Sequence, residues 1–267
     1  MLWRAPTGYG PLQRGLAWAG LILMLASFGW LQLLPPSERV QISSDDGWDR
    51  GPVRLVVIDA GHGGRDSGAI RDGVIEKDLT IDVARRLEQL LRARGFRTVL
   101  TRSGDEAVSL AERTAIANEQ RNCVFVSIHF DEGGRAAATG VNTYYAARQQ
   151  TAEPGITSWL PFLQPVSNES TNVGSQSLAG FVQQALVTRT GAVDRGTRAQ
   201  QFYVIANVRH PAVLVEGGFL TNQEDLSKLT REEYRQELAA AISDGIKHYS
   251  EVVRERPTVA AVPEPGT

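Results

Sequence analysis

The 267-residue chain is poor in cysteine and almost neutral, and both features limit what it can be. Its single cysteine, Cys123, cannot form an internal disulfide, so cysteine content does not identify the redox compartment. Cys123 lies in an apolar run and is interpreted as an inert strand residue. The net charge is −2, and no basic patch is interleaved with aromatic residues, so no nucleic-acid partner is expected.

Charge is also missing from residues 15–34, which read GLAWAGLILMLASFGWLQLL. Twenty uncharged residues are about the length that a helix needs to cross a bilayer. Arg4 and Arg14 precede the run and acidic residues follow it, which predicts a cytoplasmic segment over residues 1–14. No clear small-x-small cleavage site is present, so we expect an uncleaved membrane anchor with the following domain extracytoplasmic, in the periplasm. A cleaved signal peptide and a free periplasmic protein are the alternative.

The rest of the chain is predicted to form one domain with extensions. Residues 35–51 are polar and acidic and are interpreted as a linker, and residues 255–267 as a disordered tail. Residues 52–254 alternate between strand and helix patterns, which predicts an α/β fold. We expect a single three-layer domain with a largely parallel twisted sheet and helices on both faces.

Local patterns place the elements of this domain. Ser109 and Thr230 each begin a capping-box pattern, and Gly95 and Gly191 follow helical periodicities as C-terminal caps. Strands are predicted over residues 54–58, 96–101, 123–130, 141–146, 202–205 and 212–215, and helices over 78–94, 109–120, 175–190 and 230–253.

Three apolar strands each lead to a residue that can bind a metal or move a proton. Residues 54–58 lead into a glycine-rich turn that carries His62, and two later strands lead to His129 and Glu216. Glu76 lies at the start of the helix that follows the turn. Because ligands bind at the carboxyl ends of strands in α/β folds, we expect these four side chains to lie close together.

Two imidazoles and one carboxylate are a usual ligand set for a hydrolytic Zn²⁺ site, and the other carboxylate could then act as the general base. Each residue also has a structural interpretation. A glutamate at a helix start commonly complements the helix dipole, and a histidine at a strand end is often a satisfied structural group.

Five segments, in this order and rough spacing, resemble the zinc-dependent N-acetylmuramoyl-L-alanine amidases of the amidase-3 type. The similarity extends over about residues 52–253, and the segments are residues 59–69 (DAGHGGRDSGA), 76–78 (EKD), 100–105 (LTRSGD), 127–129 (SIH) and 215–222 (VEGGFLTN).

The resemblance implies a role for each of the four residues. It implies that His62, Glu76 and His129 bind Zn²⁺ and that Glu216 is the catalytic carboxylate. It also implies the substrate, the amide between N-acetylmuramic acid and L-alanine in peptidoglycan. Two alternatives are another metallo-amidase or carboxypeptidase acting on wall peptides, and a catalytically silent wall-binding scaffold at the division site.

The chain departs from the family pattern at several positions. Ala60 stands where many relatives have proline. Asp131 adds an anionic group after His129 and is a candidate substrate-binding residue. Arg195 is interpreted either as a contact for a substrate carboxylate or as a solvent-exposed cation. His210 and His248 match no ligand position and are interpreted as structural or surface residues.

Residues 147–174 are irregular in pattern and contain three prolines, so we expect no long helix covering the metal. A small apolar patch in this segment could receive a protein activator or division-site partner. It consists of Trp159, Leu160, Phe162 and Leu163.

Overall fold

The computed structural model describes residues 53–131, 138–149 and 172–255, without the side chain of Asp131. Within these ranges no helix is long and apolar enough to cross a membrane. Most of the predictions for the ends of the chain lie outside the described residues: the segments 1–14 and 15–34, the linker, and the tail from residue 256 onwards, while Glu255 still belongs to the last helix. Residues 150–171 also lie outside them, and with them the apolar patch at residues 159–163 and the expectation that no long helix covers the metal.

The strands and helices follow one another along the described chain. The strands are β1 (Leu55–Ala60), β2 (Ile70–Arg71), β3 (Val74–Ile75), β4 (Arg97–Leu100), β5 (Cys123–Asp131), β6 (Val141–Tyr145), β7 (Asp194–Ala199) and β8 (Ala212–Phe219). The helices are α1 (Glu76–Ala93), α2 (Leu110–Asn118), α3 (Val173–Thr190), α4 (Tyr203–Ala206), α5 (Gln223–Leu229) and α6 (Glu232–Glu255).

The central sheet has the strand order β4-β1-β5-β8-β6-β7. The first four strands of this order run parallel, β6 runs antiparallel to β8, and β7 runs parallel to β6. Because helices cover the central parallel strands on both sides, these strands are almost continuously apolar. The predicted α/β fold with a largely parallel sheet is confirmed.

Side chains alternate between the two faces of the sheet. Val56 and Ile58 of β1 pack with α1, α3 and α6 on one face. Leu55 and Val57 pack on the other face with residues of α2 and α4. The predicted three layers therefore exist. Cys123 is buried at the start of β5, and burial raises the pKa of its thiol to about 12, in agreement with an inert strand residue.

Beyond the centre of the sheet, one local prediction is wrong and one strand was not predicted. The strand expected at residues 202–205 is the short helix α4, because an apolar run of four residues does not distinguish one helical turn from a strand. The edge strand β7 was not predicted, since its sequence DRGTRA is polar and mostly exposed.

The two capping-box predictions had opposite outcomes. Ser109 caps α2 as predicted, with its hydroxyl accepting a hydrogen bond from the Glu112 backbone at 3.2 Å. Thr230 instead ends α5, and its hydroxyl donates to the Ser227 carbonyl at 2.9 Å. Helix α5 was not predicted, and it ends at Thr230, two residues before α6 begins at Glu232. The capping-box pattern therefore coincides with a helix end rather than with the start of α6.

Candidate metal centre

Strand β1 continues to Ala60, two residues past its predicted end at residue 58. Asp59 is inside the strand and only 1% exposed. Its carboxylate forms an ion pair with Arg113 Nη1 at 2.6 Å and accepts hydrogen bonds from Thr101 Oγ1 at 2.6 Å and Ser127 Oγ at 2.7 Å. The prediction treated Asp59 as part of the turn, but these partners offset the cost of burying its charge.

Two buried arginines hold the turn after β1. Arg113 donates to the carbonyls of Ala60 and His62, both at 2.6 Å. Arg102 donates to the Gly61 carbonyl at 2.9 Å. His62 adopts a left-handed backbone conformation with φ of 61°, which is uncommon for residues other than glycine. The hydrogen bonds to the turn carbonyls keep the imidazole aimed at the centre despite this conformation.

Glycine is required at two positions beside the imidazoles. A Cβ atom at Gly61 would overlap the ring of His129, and one at Gly68 would overlap Glu76 Oε2 and the ring of His62. The glycines of this segment therefore leave room for the three candidate ligands, in addition to shaping the turn.

His62, Glu76 and His129 form a compact cluster although they come from three different elements. Glu76 Oε1 lies 3.0 Å from His62 Nε2 and 3.2 Å from His129 Nδ1. One ligand atom from each residue lies within 4.8 Å of the others. The predicted candidate ligands are thus brought together, and two imidazole nitrogens with one carboxylate oxygen suit a divalent zinc ion.

The cluster is oriented by neighbouring groups. Asp66 Oδ2 lies 2.9 Å from His62 Nδ1, which directs the other ring nitrogen, Nε2, towards Glu76. Glu76 Oε1 accepts from the Phe130 backbone at 3.0 Å, and Oε2 accepts from the Ala69 backbone at 2.9 Å. The orienting role of Asp66 was not predicted, although its position four residues after His62 was a usable signal.

Electrostatics favour an anionic Glu76 at the centre of the cluster. Burial alone would raise the pKa of Glu76, but its hydrogen bonds with His129 and His62 hold the pKa well below its usual range. Burial alone would lower the pKa of His62, but Glu76 and Asp66 outweigh it and raise the pKa. A divalent cation at this position would be attracted by the same carboxylate.

Glu216 lies on β8 beside the cluster. It is in register with His129 on the neighbouring strand β5. The prediction that Glu216 ends its strand is wrong, because β8 continues to Phe219. Glu216, His62 and His129 line the same cleft, which has a volume of about 440 Å³. A carboxylate is therefore available beside the candidate metal ligands.

Apolar residues form a wall of the same cleft. Leu110, Phe202 and Tyr203 line it and are 53%, 36% and 47% exposed, respectively. The ring of Phe202 packs edge-on against Tyr144 with 5.1 Å between centroids. This wall was not predicted, because the sequence pattern at residues 202 and 203 indicated a strand.

The other singled-out residues have different positions. Asp131 ends β5, and its side chain is outside the described part. Arg195 lies on β7 with its guanidinium 4.7 Å from the centre of the Phe219 ring, and is not among the residues that line the cleft.

His210 contacts the Gln120 carbonyl, and His248 stacks on Phe181. These two histidines are structural, as predicted.

Comparisons with known proteins indicate the family of the chain. The family model described as N-acetylmuramoyl-L-alanine amidase, Amidase_3, matches residues 56–248. The amidase LytC of Bacillus subtilis is 37% identical over 194 residues, which cover 73% of this chain and 35% of LytC.

Two solved structures have the same fold. One is the crystal structure of an N-acetylmuramoyl-L-alanine amidase from Clostridium difficile 630, with a TM-score of 0.63 and 31% identity over 75% of this chain and 98% of that one. The other is the CwlD amidase from Clostridioides difficile in complex with the GerS lipoprotein, with a TM-score of 0.63 and 26% identity over 74% of this chain and 99% of CwlD.

Proposed function

The chain belongs to the Amidase_3 family of N-acetylmuramoyl-L-alanine amidases, and from this premise we propose that it cleaves the amide between N-acetylmuramic acid and L-alanine in peptidoglycan. The observation that carries the proposal is the cluster of His62, Glu76 and His129, whose two histidines line one cleft together with Glu216. All four residues lie within the span matched by the family model.

Zinc is the cofactor that this ligand set fits best. His62, Glu76 and His129 would hold it through two nitrogens and one oxygen, with Asp66 orienting His62. When bound, zinc supplies Lewis-acid chemistry, which lowers the pKa of water and polarises the scissile carbonyl. Three protein ligands are typical of catalytic sites, in which one coordination position stays open for the reaction.

Glu216 handles the protons of the reaction. Its position beside His129 lets it accept a proton from the attacking water. The same carboxyl then passes that proton to the L-alanine nitrogen, which would otherwise leave as an unstable amide anion. The apolar wall formed by Leu110, Phe202 and Tyr203 limits water on one side of the cleft, and this strengthens electrostatic interactions inside it.

Mass spectrometry of digested peptidoglycan tests the reaction. The full-length protein, purified with zinc, is incubated with purified peptidoglycan, and the soluble products are identified. We expect free stem peptides that begin at L-alanine. Cleavage inside the stem peptide would support a carboxypeptidase instead. Binding to peptidoglycan without any product would support the silent scaffold, a reading that the presence of all four site residues disfavours.

We also place the domain outside the cytoplasm on a membrane anchor formed by residues 15–34. The uncharged length of this segment and the preceding arginines support the proposal. The full-length protein should remain in the membrane fraction after a high-salt wash, and added protease should reach its domain in spheroplasts. A mature chain beginning at or after Ser27 would show cleavage and contradict the anchor.

A protein partner completes the proposal. CwlD is found in complex with the GerS lipoprotein, which supports an extracytoplasmic activator or division-site partner for this chain as well. Residues 159–163 supply an apolar sequence for such a contact. Replacing residues 150–171 by a Gly/Ser loop should keep basal hydrolysis within about threefold, since the metal ligands lie elsewhere in the chain. A large gain in activity would instead identify the segment as inhibitory.

A further inference from the structure

A row of polar side chains crosses the sheet at the level of the metal centre. His129 on β5 is in register with Glu216 on β8, and Glu216 is in register with Asn142 on β6. Directly paired residues on adjacent strands point to the same face, with Cβ atoms about 5 Å apart. Asn142 is therefore the neighbour of Glu216 on the side opposite His129.

Asn142 is an unusual member of this row. Its side chain is 1% exposed, and neither Nδ2 nor Oδ1 has a hydrogen-bond partner among the described residues. Buried amides in native proteins are almost always hydrogen-bonded, because burying an unpaired polar group is costly. An asparagine at such a position therefore needs a partner, either a bound water or a neighbouring side chain that moves into reach.

Arg195, on the neighbouring strand β7, has a buried donor atom that also lacks a hydrogen-bond partner among the described residues. The pairing of β6 with β7 shifts from Val141 opposite Asp194 to Thr143 opposite Thr197, so Arg195 and Gly196 bulge opposite Asn142. Arg195 Nη1 donates to the Thr139 carbonyl at 3.4 Å, and the guanidinium packs on Phe219. Its Nε is buried and has no partner within the described part of the chain.

Hydrogen-bond donors and acceptors alternate across these three side chains, from Arg195 through Asn142 to Glu216. Arg195 Nε is a donor, Asn142 Oδ1 an acceptor, Asn142 Nδ2 a donor and the Glu216 carboxylate an acceptor. An asparagine amide can connect a fixed cation to a carboxylate in this order, directly or through one water at each end. Leucine, of similar volume, could connect neither.

We propose that Asn142 is a positioning residue, which links Arg195 to Glu216 by hydrogen bonds when the metal site is occupied and so orients the Glu216 carboxylate. The inference rests on the proposed function, because Glu216 is taken as the proton carrier. It also reassigns Arg195 from a substrate contact to an anchor for Asn142.

The main test separates positioning from a structural role. Asn142→Leu should lower kcat about tenfold and leave KM unchanged, because a base held out of line slows the chemical step alone. The thermal midpoint of the metal-free protein should stay the same or rise, since an unpaired buried amide is removed. Asn142→Thr, whose hydroxyl both donates and accepts, should recover kcat to within about threefold of wild type.

A double-mutant cycle tests whether Asn142 acts through Glu216. In the Glu216→Gln background, Asn142→Leu should have no further effect on kcat. Thr143→Val is the matched control on the same strand. It removes a buried hydroxyl that donates to Gln183 on the opposite face, so it should lower the thermal midpoint and leave kcat unchanged.

A spectroscopic measurement reads the link without turnover. In ¹⁵N spectra of the full-length protein with and without zinc, the side-chain NH₂ of Asn142 is identified by its loss in Asn142→Leu. Its resonances should shift in the Glu216→Gln variant and in Arg195→Met.

Equal kcat for wild type and Asn142→Leu, or additive effects in the cycle, would overturn the inference. If wild type released no stem peptide, the proposed function would fail, and the spectra would still report the link.

Discussion

Glu76 and Glu216 carry the same functional group, and their surroundings give them different tasks. Glu76 accepts two backbone hydrogen bonds and contacts both imidazoles, which suits a fixed anionic ligand. Glu216 lies beside the cluster on a different strand and faces the cleft, which suits a group that exchanges protons.

Substitution of each glutamate should separate these tasks. Glu216→Gln should lower kcat by at least ~10²-fold with zinc retained, because general acid–base catalysis contributes roughly 10²–10⁴. Glu76→Ala and His62→Ala should lose most of the zinc, since two protein ligands hold it poorly. Metal content by plasma mass spectrometry is measured beside turnover on the same preparations. Loss of zinc in Glu216→Gln with retention in Glu76→Ala would exchange the two roles.

Gly61 offers a second test at the level of single atoms. Gly61→Ala should displace the His129 ring and reduce zinc content and turnover together, because the added Cβ would overlap that ring. Gly180→Ala is the control, since a Cβ there meets nothing within 4 Å and Gly180 lies inside α3. That variant should be neutral or stabilising by roughly 0.5–1 kcal/mol. Full zinc content in Gly61→Ala would show that the histidine has room to move.

At the scale of the elements, the junction between β1 and its turn depends on one buried ion pair. Arg113 comes from α2 and reaches Asp59 in the strand and two carbonyls in the turn. A helix on one face of the sheet therefore determines the path of the chain that carries His62.

Removal of the Arg113 guanidinium should affect both stability and the site. Arg113→Met should destabilise the fold by about 3–5 kcal/mol, because Asp59 would remain buried without its cation. Arg85→Met is the control, since Arg85 donates to the Ser103 carbonyl from an exposed position, and its cost should stay within about 0.5 kcal/mol. Urea unfolding followed by circular dichroism measures both. Equal midpoints for wild type and Arg113→Met would show that the ion pair does not stabilise the fold.

At the scale of the whole molecule, salt bridges join the helices that cover one face. Asp244 of α6 bonds to Arg94 after α1 at 2.5 Å and to Arg189 of α3 at 2.7 Å. Burial alone would raise the pKa of Asp244, but the two arginines lower it. A lowered pKa in the folded state means that the contribution to stability is complete above the unfolded-state pKa and is lost as the pH falls.

This sign predicts the pH dependence of an Asp244→Asn variant. At pH 7 it should be less stable than wild type by about 0.5–1 kcal/mol, a small value because Asp244 is about one-third exposed. The difference should shrink below pH about 4, as the wild-type carboxylate becomes protonated. Urea unfolding midpoints of the variant and of wild type are compared at pH 7 and below pH about 4. Asp72→Asn is the control at an exposed position. A difference that does not depend on pH would mean that charge is not responsible.

The sequence by itself determined the fold class and the chemical character of the site. Apolar runs with β-branched residues indicated the central strands, and the Ser109 capping box indicated the start of α2. His62, Glu76, His129 and Glu216 could be singled out because each follows such a local pattern at an element boundary or near one. Each of these patterns extends over only a few neighbouring residues, so it can be recognised without knowledge of the fold.

Only the tertiary structure decided how distant residues meet. The Asp59–Arg113 pair, the burial of Asp59 and the position of Asn142 beside Glu216 join residues more than 50 positions apart along the chain. Strand register and helix packing create these contacts, and no local pattern encodes either. Tertiary contacts also explain why residues 203–206 form helix α4 instead of a strand and why Thr230 ends a helix instead of starting one. Both segments are short and ambiguous in pattern, so their surroundings decide their conformation.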